Sequence, residues 1–99
     1  MPYSSIDLKK VRTYPLSERH NLVKISDLVR PEDPLPSFEN DEIDRVVESV
    51  VAARRNDRRV ILMMGGHVIK CGLGPLLIDL MRKGVVTHIA GNGAISIHD

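Results

Sequence analysis

Two apolar runs, each ending in glycine and joined by one helix, constrain this chain more than any other feature. Val60-Ile61-Leu62-Met63-Met64 meets Gly65-Gly66, and Val85-Val86-Thr87-His88-Ile89-Ala90 meets Gly91-Asn92-Gly93. Between them, Pro75 suits the first turn of a helix, where its missing N–H costs nothing. Leu76, Leu77, Leu80 and Met81 form that helix's expected buried face, and Lys83-Gly84 is an expected stop. A helix of about nine residues between two such runs predicts a parallel, right-handed crossover. The first run, continuous and β-branched, reads as a strand buried on both faces.

Upstream, Asn40 or Asp41 predicts a helix start, with Asp41, Glu42 and Asp44 favoured in its first turn. Ile43, Val46, Val47, Val50, Val51 and Ala53 recur at the spacing of one apolar face, and the helix is expected to end near Asn56. The basic run Arg54 to Arg59 then reads as a solvated helix end. Residues 1–40 differ in kind. Pro15, Pro31, Pro34 and Pro36 prevent long elements, and Ser26 to Val29 allows one helical turn. This segment is expected to be an arm packed on the core or on a neighbouring subunit.

The fold class expected is therefore α/β: a Rossmann-like βαβ unit with a parallel sheet, flanking helices and an extended N-terminal arm. The arm spans 1–40 and the α/β part 41–99. Two strands leave both edges open, so the sheet is expected to be incomplete. The arm, another subunit or further sequence would complete it.

Composition narrows function by exclusion. With 14 basic and 13 acidic residues and a net charge of +1, the chain lacks the electrostatic footprint of a nucleic-acid binder. Aromatics are 3% of residues, too few for a base-stacking platform. No apolar run approaches the length of a membrane span. The single cysteine and the absence of a signal-peptide pattern lead to a cytoplasmic expectation.

In open α/β sheets, ligands bind beyond the carboxyl ends of the strands. Gly65, Gly66 and Gly72 would let backbone N–H groups approach a ligand, and Lys70 would add charge for a phosphate. Neither the dinucleotide fingerprint nor the Walker spacing is matched. His67 and His98 are candidate acid/base groups at neighbouring edges, with Asp99 beside them. The same three could hold a metal, which leaves a metal-dependent hydrolase as an alternative. His88 reads as a satisfied core or sheet-face histidine. Cys71 reads as a small apolar filler near a helix start, with a nucleophile the alternative.

At Ile69-Lys70-Cys71-Gly72-Leu73, with the helix, strand and glycine cluster that follow, the chain resembles deoxyhypusine synthase and its bacterial relatives. The resemblance runs from Gly66 to Asp99 and covers only an N-terminal part of that fold. It implies an NAD-binding turn at His67, Lys70, Cys71 and Gly72. It implies a second edge at Gly91, Asn92, Gly93, Ala94 and Asp99, which in the family leads to a polyamine site. His67 and Lys70 stand where the family's turn is rich in Ser, Thr and Asn, and Ile97-His98 replaces its acidic pair. The function expected is a nucleotide- or NAD-binding module of a deoxyhypusine-synthase-like transferase, working as a homo-oligomer rather than as a complete enzyme alone. The alternative from another class is a non-catalytic oligomerising module whose glycine turns are structural.

Overall fold

The computed structural model describes residues 4–98. It is a mixed α/β chain in which helix α1 (Asp41–Arg55) leads to strand β1 (Ile61–Met64). Helices α2 (Gly66–Lys70) and α3 (Gly74–Arg82), strand β2 (His88–Gly91) and helix α4 (Ala94–His98) follow. Before α1 lie three single 3-10 turns, Leu8–Lys10, Leu16–Glu18 and Ile25–Asp27.

Helix α1 begins where its cap dictates. The Asn40 side-chain oxygen accepts the N–H groups of Glu42 at 2.9 Å and Ile43 at 3.3 Å. That satisfies two donors the first turn cannot pair internally. The helix ends on a left-handed residue, Asp57 at φ 52°, which brings the Arg58 N–H to the Ala53 carbonyl at 2.8 Å. Aspartate is one of the few side chains that tolerates this conformation.

β1 and β2 pair in parallel, Ile61 opposite His88 and Met64 opposite Gly91. The ladder is extended one step by a side chain. Thr87 Oγ1 accepts the Val60 N–H at 3.0 Å, while the Thr87 N–H donates to the Val60 carbonyl at 2.9 Å. Arg54 ties the ends of the helices together, donating from Nε to Gly84 O at 2.8 Å and from Nη1 to Arg58 O at 2.6 Å.

Two expectations need correction. The crossover holds two helices rather than one, because Gly66 to Lys70 is helical instead of a glycine loop, and Ala94 to His98 forms another helix beyond β2. Burial is also much thinner than the sequence pattern predicts. Val86, at 9% exposure, is the one buried apolar side chain among the described residues. Ile61 and Met63 are 61% and 80% exposed, so β1 has one open face. On α3, Leu76 and Leu77 are half-buried, whereas Leu80 and Met81 are exposed. The cause is geometric: a two-stranded sheet with short helices cannot cover both faces. The accessible surface is 9286 Å², against about 5,700 Å² for a compact monomer of this size. The radius of gyration is 19.1 Å, against about 13 Å for a compact domain.

Candidate functional site

Beyond the carboxyl ends of the strands, α2 and α4 meet, while Gly65, Gly91, Asn92 and Gly93 stay exposed. Gly65, in extended conformation, is the cap residue of α2, and α2 packs against α4. Gly66 is buried at that contact: a Cβ there would stand 2.8 Å from the Ala94 carbonyl oxygen and 2.7 Å from His98 Cδ2. Gly91 faces the Ile95 side chain and the Met64 carbonyl oxygen, the latter 2.9 Å from where its Cβ would be. The Asn92 side-chain oxygen accepts the Ala94 N–H at 3.1 Å, and the Gly93 carbonyl accepts the Ser96 hydroxyl at 2.9 Å. These residues bring α4 down onto α2. His67 lies in the first turn of α2 and is exposed.

Gly72 meets the arm. Its φ is +78°, a conformation side chains rarely adopt. Its carbonyl accepts the Val29 N–H at 2.9 Å, and a Cβ there would stand 2.8 Å from the Asp27 carbonyl oxygen. The arm is shaped for this approach by local bonds. Asp27 Oδ2 accepts the Lys24 N–H at 2.8 Å, and Asp33 Oδ2 accepts the Arg30 N–H at 2.7 Å. The helical turn expected at Ser26 to Val29 is a 3-10 turn one residue earlier, Ile25–Asp27, because the Asp27 carboxylate bonds backward to residue 24.

Where the arm crosses α2 and the start of α3, it borders an open groove of about 790 Å³. Lys70 and His98 line it, together with Gly74 and Pro75 at the start of α3. The arm contributes Arg19, His20, Asn21 and Lys24. Apolar walls come from Leu22 and Val23 on one side and Ile69 and Ile78 on the other. Every charged side chain in this lining is cationic: Arg19, Lys24 and Lys70, with the imidazoles of His20 and His98 beside them. Such a lining attracts an anion that also carries apolar or planar groups.

The sequence placed the site at the strand edges and so missed Arg19, His20 and Lys24. Their signal was present: three basic-type residues lie between residues 19 and 24 with no acid among them. Of the candidates named from sequence, Lys70 and His98 share the groove, and Gly72 anchors the arm beside it. His67, Gly65, Gly91, Asn92 and Gly93 do not line it.

The other polar candidates stand apart. Cys71 lies at the C-cap of α2, three residues before α3 begins, near a helix start as expected, but it is an exposed free thiol rather than an apolar filler. Lys70 likewise sits in the last turn of α2. His88 opens β2 rather than lying mid-strand, and it is exposed, with Nδ1 2.9 Å from Thr87 Oγ1. Asp99 lies outside the described residues. No group of three or more His, Cys, Asp or Glu among the described residues is placed to hold a metal ion. No helix among them is long and apolar enough to cross a membrane. No protein-family model, curated protein or solved structure matches the chain.

Proposed function

We propose that this chain is a nucleotide-binding α/β module, with NAD as the leading ligand, and that the ligand lies in the groove between the arm and α2–α3. The observation that carries this reading is the all-cationic set of charged side chains around the groove, Arg19, Lys24 and Lys70. A pyrophosphate would meet these cations, and a base would lie against the apolar walls. The volume is within the range of small-molecule sites, roughly 300–1,000 Å³. Asn21 is the neutral hydrogen-bonding group in the lining suited to ribose hydroxyls, since no carboxylate of the kind used in dinucleotide folds is present there.

In this reading the βαβ unit is Rossmann-like in connectivity but moves its ligand from the strand edges to the crossover helices. Of the acid/base candidates named from the sequence, His98 is the one that lines the groove. The resemblance to deoxyhypusine synthase supports NAD over other nucleotides and makes the module one part of a transferase site. In this reading the chain binds and orients the ligand: Lys70 meets phosphate, and the arm supplies one side of the groove.

Isothermal titration with NAD, ADP-ribose, ATP and inorganic phosphate tests this. The expected result is saturable binding of NAD and ADP-ribose, weaker for phosphate alone and weaker again in Lys70→Ala. Absence of binding by all four at millimolar concentration would overturn the proposal.

A further inference from the structure

The arm borders the groove from a single tether. Among the described residues, the Val29 N–H donating to the Gly72 carbonyl at 2.9 Å is the one hydrogen bond that joins residues 4–39 to residues 41–98. Leu28 and Val29, at this tether, are half-buried, but the segment before them is not. Leu16, Leu22 and Ile25 line the groove and are still 79%, 93% and 79% exposed. A segment with one tether and so little buried apolar surface opens locally at low cost. Its charge favours opening as well. Arg19 and Lys24 line the groove from the arm and Lys70 lines it from α2, with no Asp or Glu among the lining residues. Asp27, the acid nearest to Lys24 in the chain, is outside the lining and already accepts the Lys24 N–H at 2.8 Å and the Ser26 hydroxyl at 3.3 Å. Like charges on the two sides repel, and a polyanion between them turns that repulsion into attraction.

We propose that residues 16–27 are a strap that a pyrophosphate-bearing ligand closes over the groove. The phosphates bridge Arg19 and Lys24 to Lys70, and Leu22 and Ile25 then bury against Ile69 and Ile78 on the opposite wall. The strap rests on the reading of the groove as a nucleotide site and adds how the ligand reshapes that site. Closure couples two terms that the free chain lacks, neutralised charge and apolar burial. A ligand that binds the closed form better than the open one shifts the population toward it. Pro31, Pro34 and Pro36 stiffen the chain beyond the tether, so the motion falls on the residues before Val29. Gly72 is the fixed point: its positive φ of 78° and its missing side chain let the arm pivot against α2 without leaving it.

Pulsed electron paramagnetic resonance tests the strap, with spin labels on Ser17→Cys and Arg82→Cys in a Cys71→Ser chain. Both labelled positions are exposed and outside the groove lining. Calorimetric titration of the same labelled chain with ADP-ribose reports binding separately. The expected result is a broad distance distribution in the free chain that narrows and shortens at saturating ADP-ribose. Leu22→Ser is expected to weaken ADP-ribose about tenfold, because it removes the apolar part of closure. Arg19→Gln combined with Lys24→Gln is expected to keep Lys70's contact and bind more weakly, with the distribution left as broad as in the free chain. Binding with an unchanged distribution would overturn the strap and leave the nucleotide site standing. A double variant that narrows as fully as its parent would overturn the bridging by charge. No binding of ADP-ribose at millimolar concentration would overturn both the strap and the site.

Discussion

The Asp27 carbonyl oxygen lies 2.8 Å from the point where a side chain on Gly72 would begin. Next to it, the Val29 N–H donates to the Gly72 carbonyl at 2.9 Å. One glycine thus admits the arm to the α/β part and holds it there. Gly72→Ala combines a strained positive φ with a backbone clash, at a cost on the order of 1–3 kcal/mol. The arm is expected to release before the sheet does. Hydrogen exchange checks this: the Val29 amide should lose protection while amides within β1 and β2 keep theirs.

Gly66 makes the equivalent contact on the other side, against the Ala94 carbonyl and His98. A carbonyl cannot swing aside as a flexible side chain can. Gly66→Ala is therefore expected to lift α4 from α2 and cost on the order of 1–3 kcal/mol. Gly65→Ala is its control, because no atom lies within 4 Å of a Cβ there. Urea denaturation of the pair should show a lowered midpoint for residue 66 alone.

Thr87 completes the ladder through its hydroxyl. Thr87→Val keeps the shape but leaves the part-buried Val60 N–H without its acceptor, costing about 1–3 kcal/mol. Thr87→Ser retains the oxygen and should recover most of this. Comparing the Val60 amide's exchange rate in the two variants separates the lost bond from the lost methyl.

Binding in the groove should depend on salt and on its cations. Arg19→Ala and Lys24→Ala are each expected to weaken an anionic ligand about two- to fivefold, the usual worth of an exposed charge. Raising ionic strength past physiological levels should weaken the wild type by a similar factor and the double variant much less. Titration at two salt concentrations measures both.

The parts of the fold legible in the sequence are those set by local chemistry. Asn40 caps α1 with its own side chain, Pro75 opens α3, and Gly84 at φ +70° closes it. Each acts within one turn, so its meaning is visible in a short window. Helices α2 and α4 were obscured because Gly66 and Gly91 read as loop residues when considered alone. They are close-approach points between segments distant in sequence, and only the fold reveals what they approach. Asn92 carried the missing signal for α4, an N-cap type ahead of the apolar Ile95 and Ile97. The groove was hidden for a related reason. Lys70 was visible as a lone cation, but its partners Arg19 and Lys24 arrive on an arm docked through Gly72.

The parallel pairing also sets an order of events during synthesis. Val60 and Thr87 are 27 positions apart, so β1 leaves the ribosome with no strand to pair with. At translation speeds of about 5–20 residues per second, it waits a second or more for β2. α4, which packs on α2, comes later still. In that interval the apolar run Ile61 to Met64 has no ladder partner. Its unpaired backbone groups are then the point at which another extended chain can pair with it, a hazard that ends only when residues 88–91 arrive.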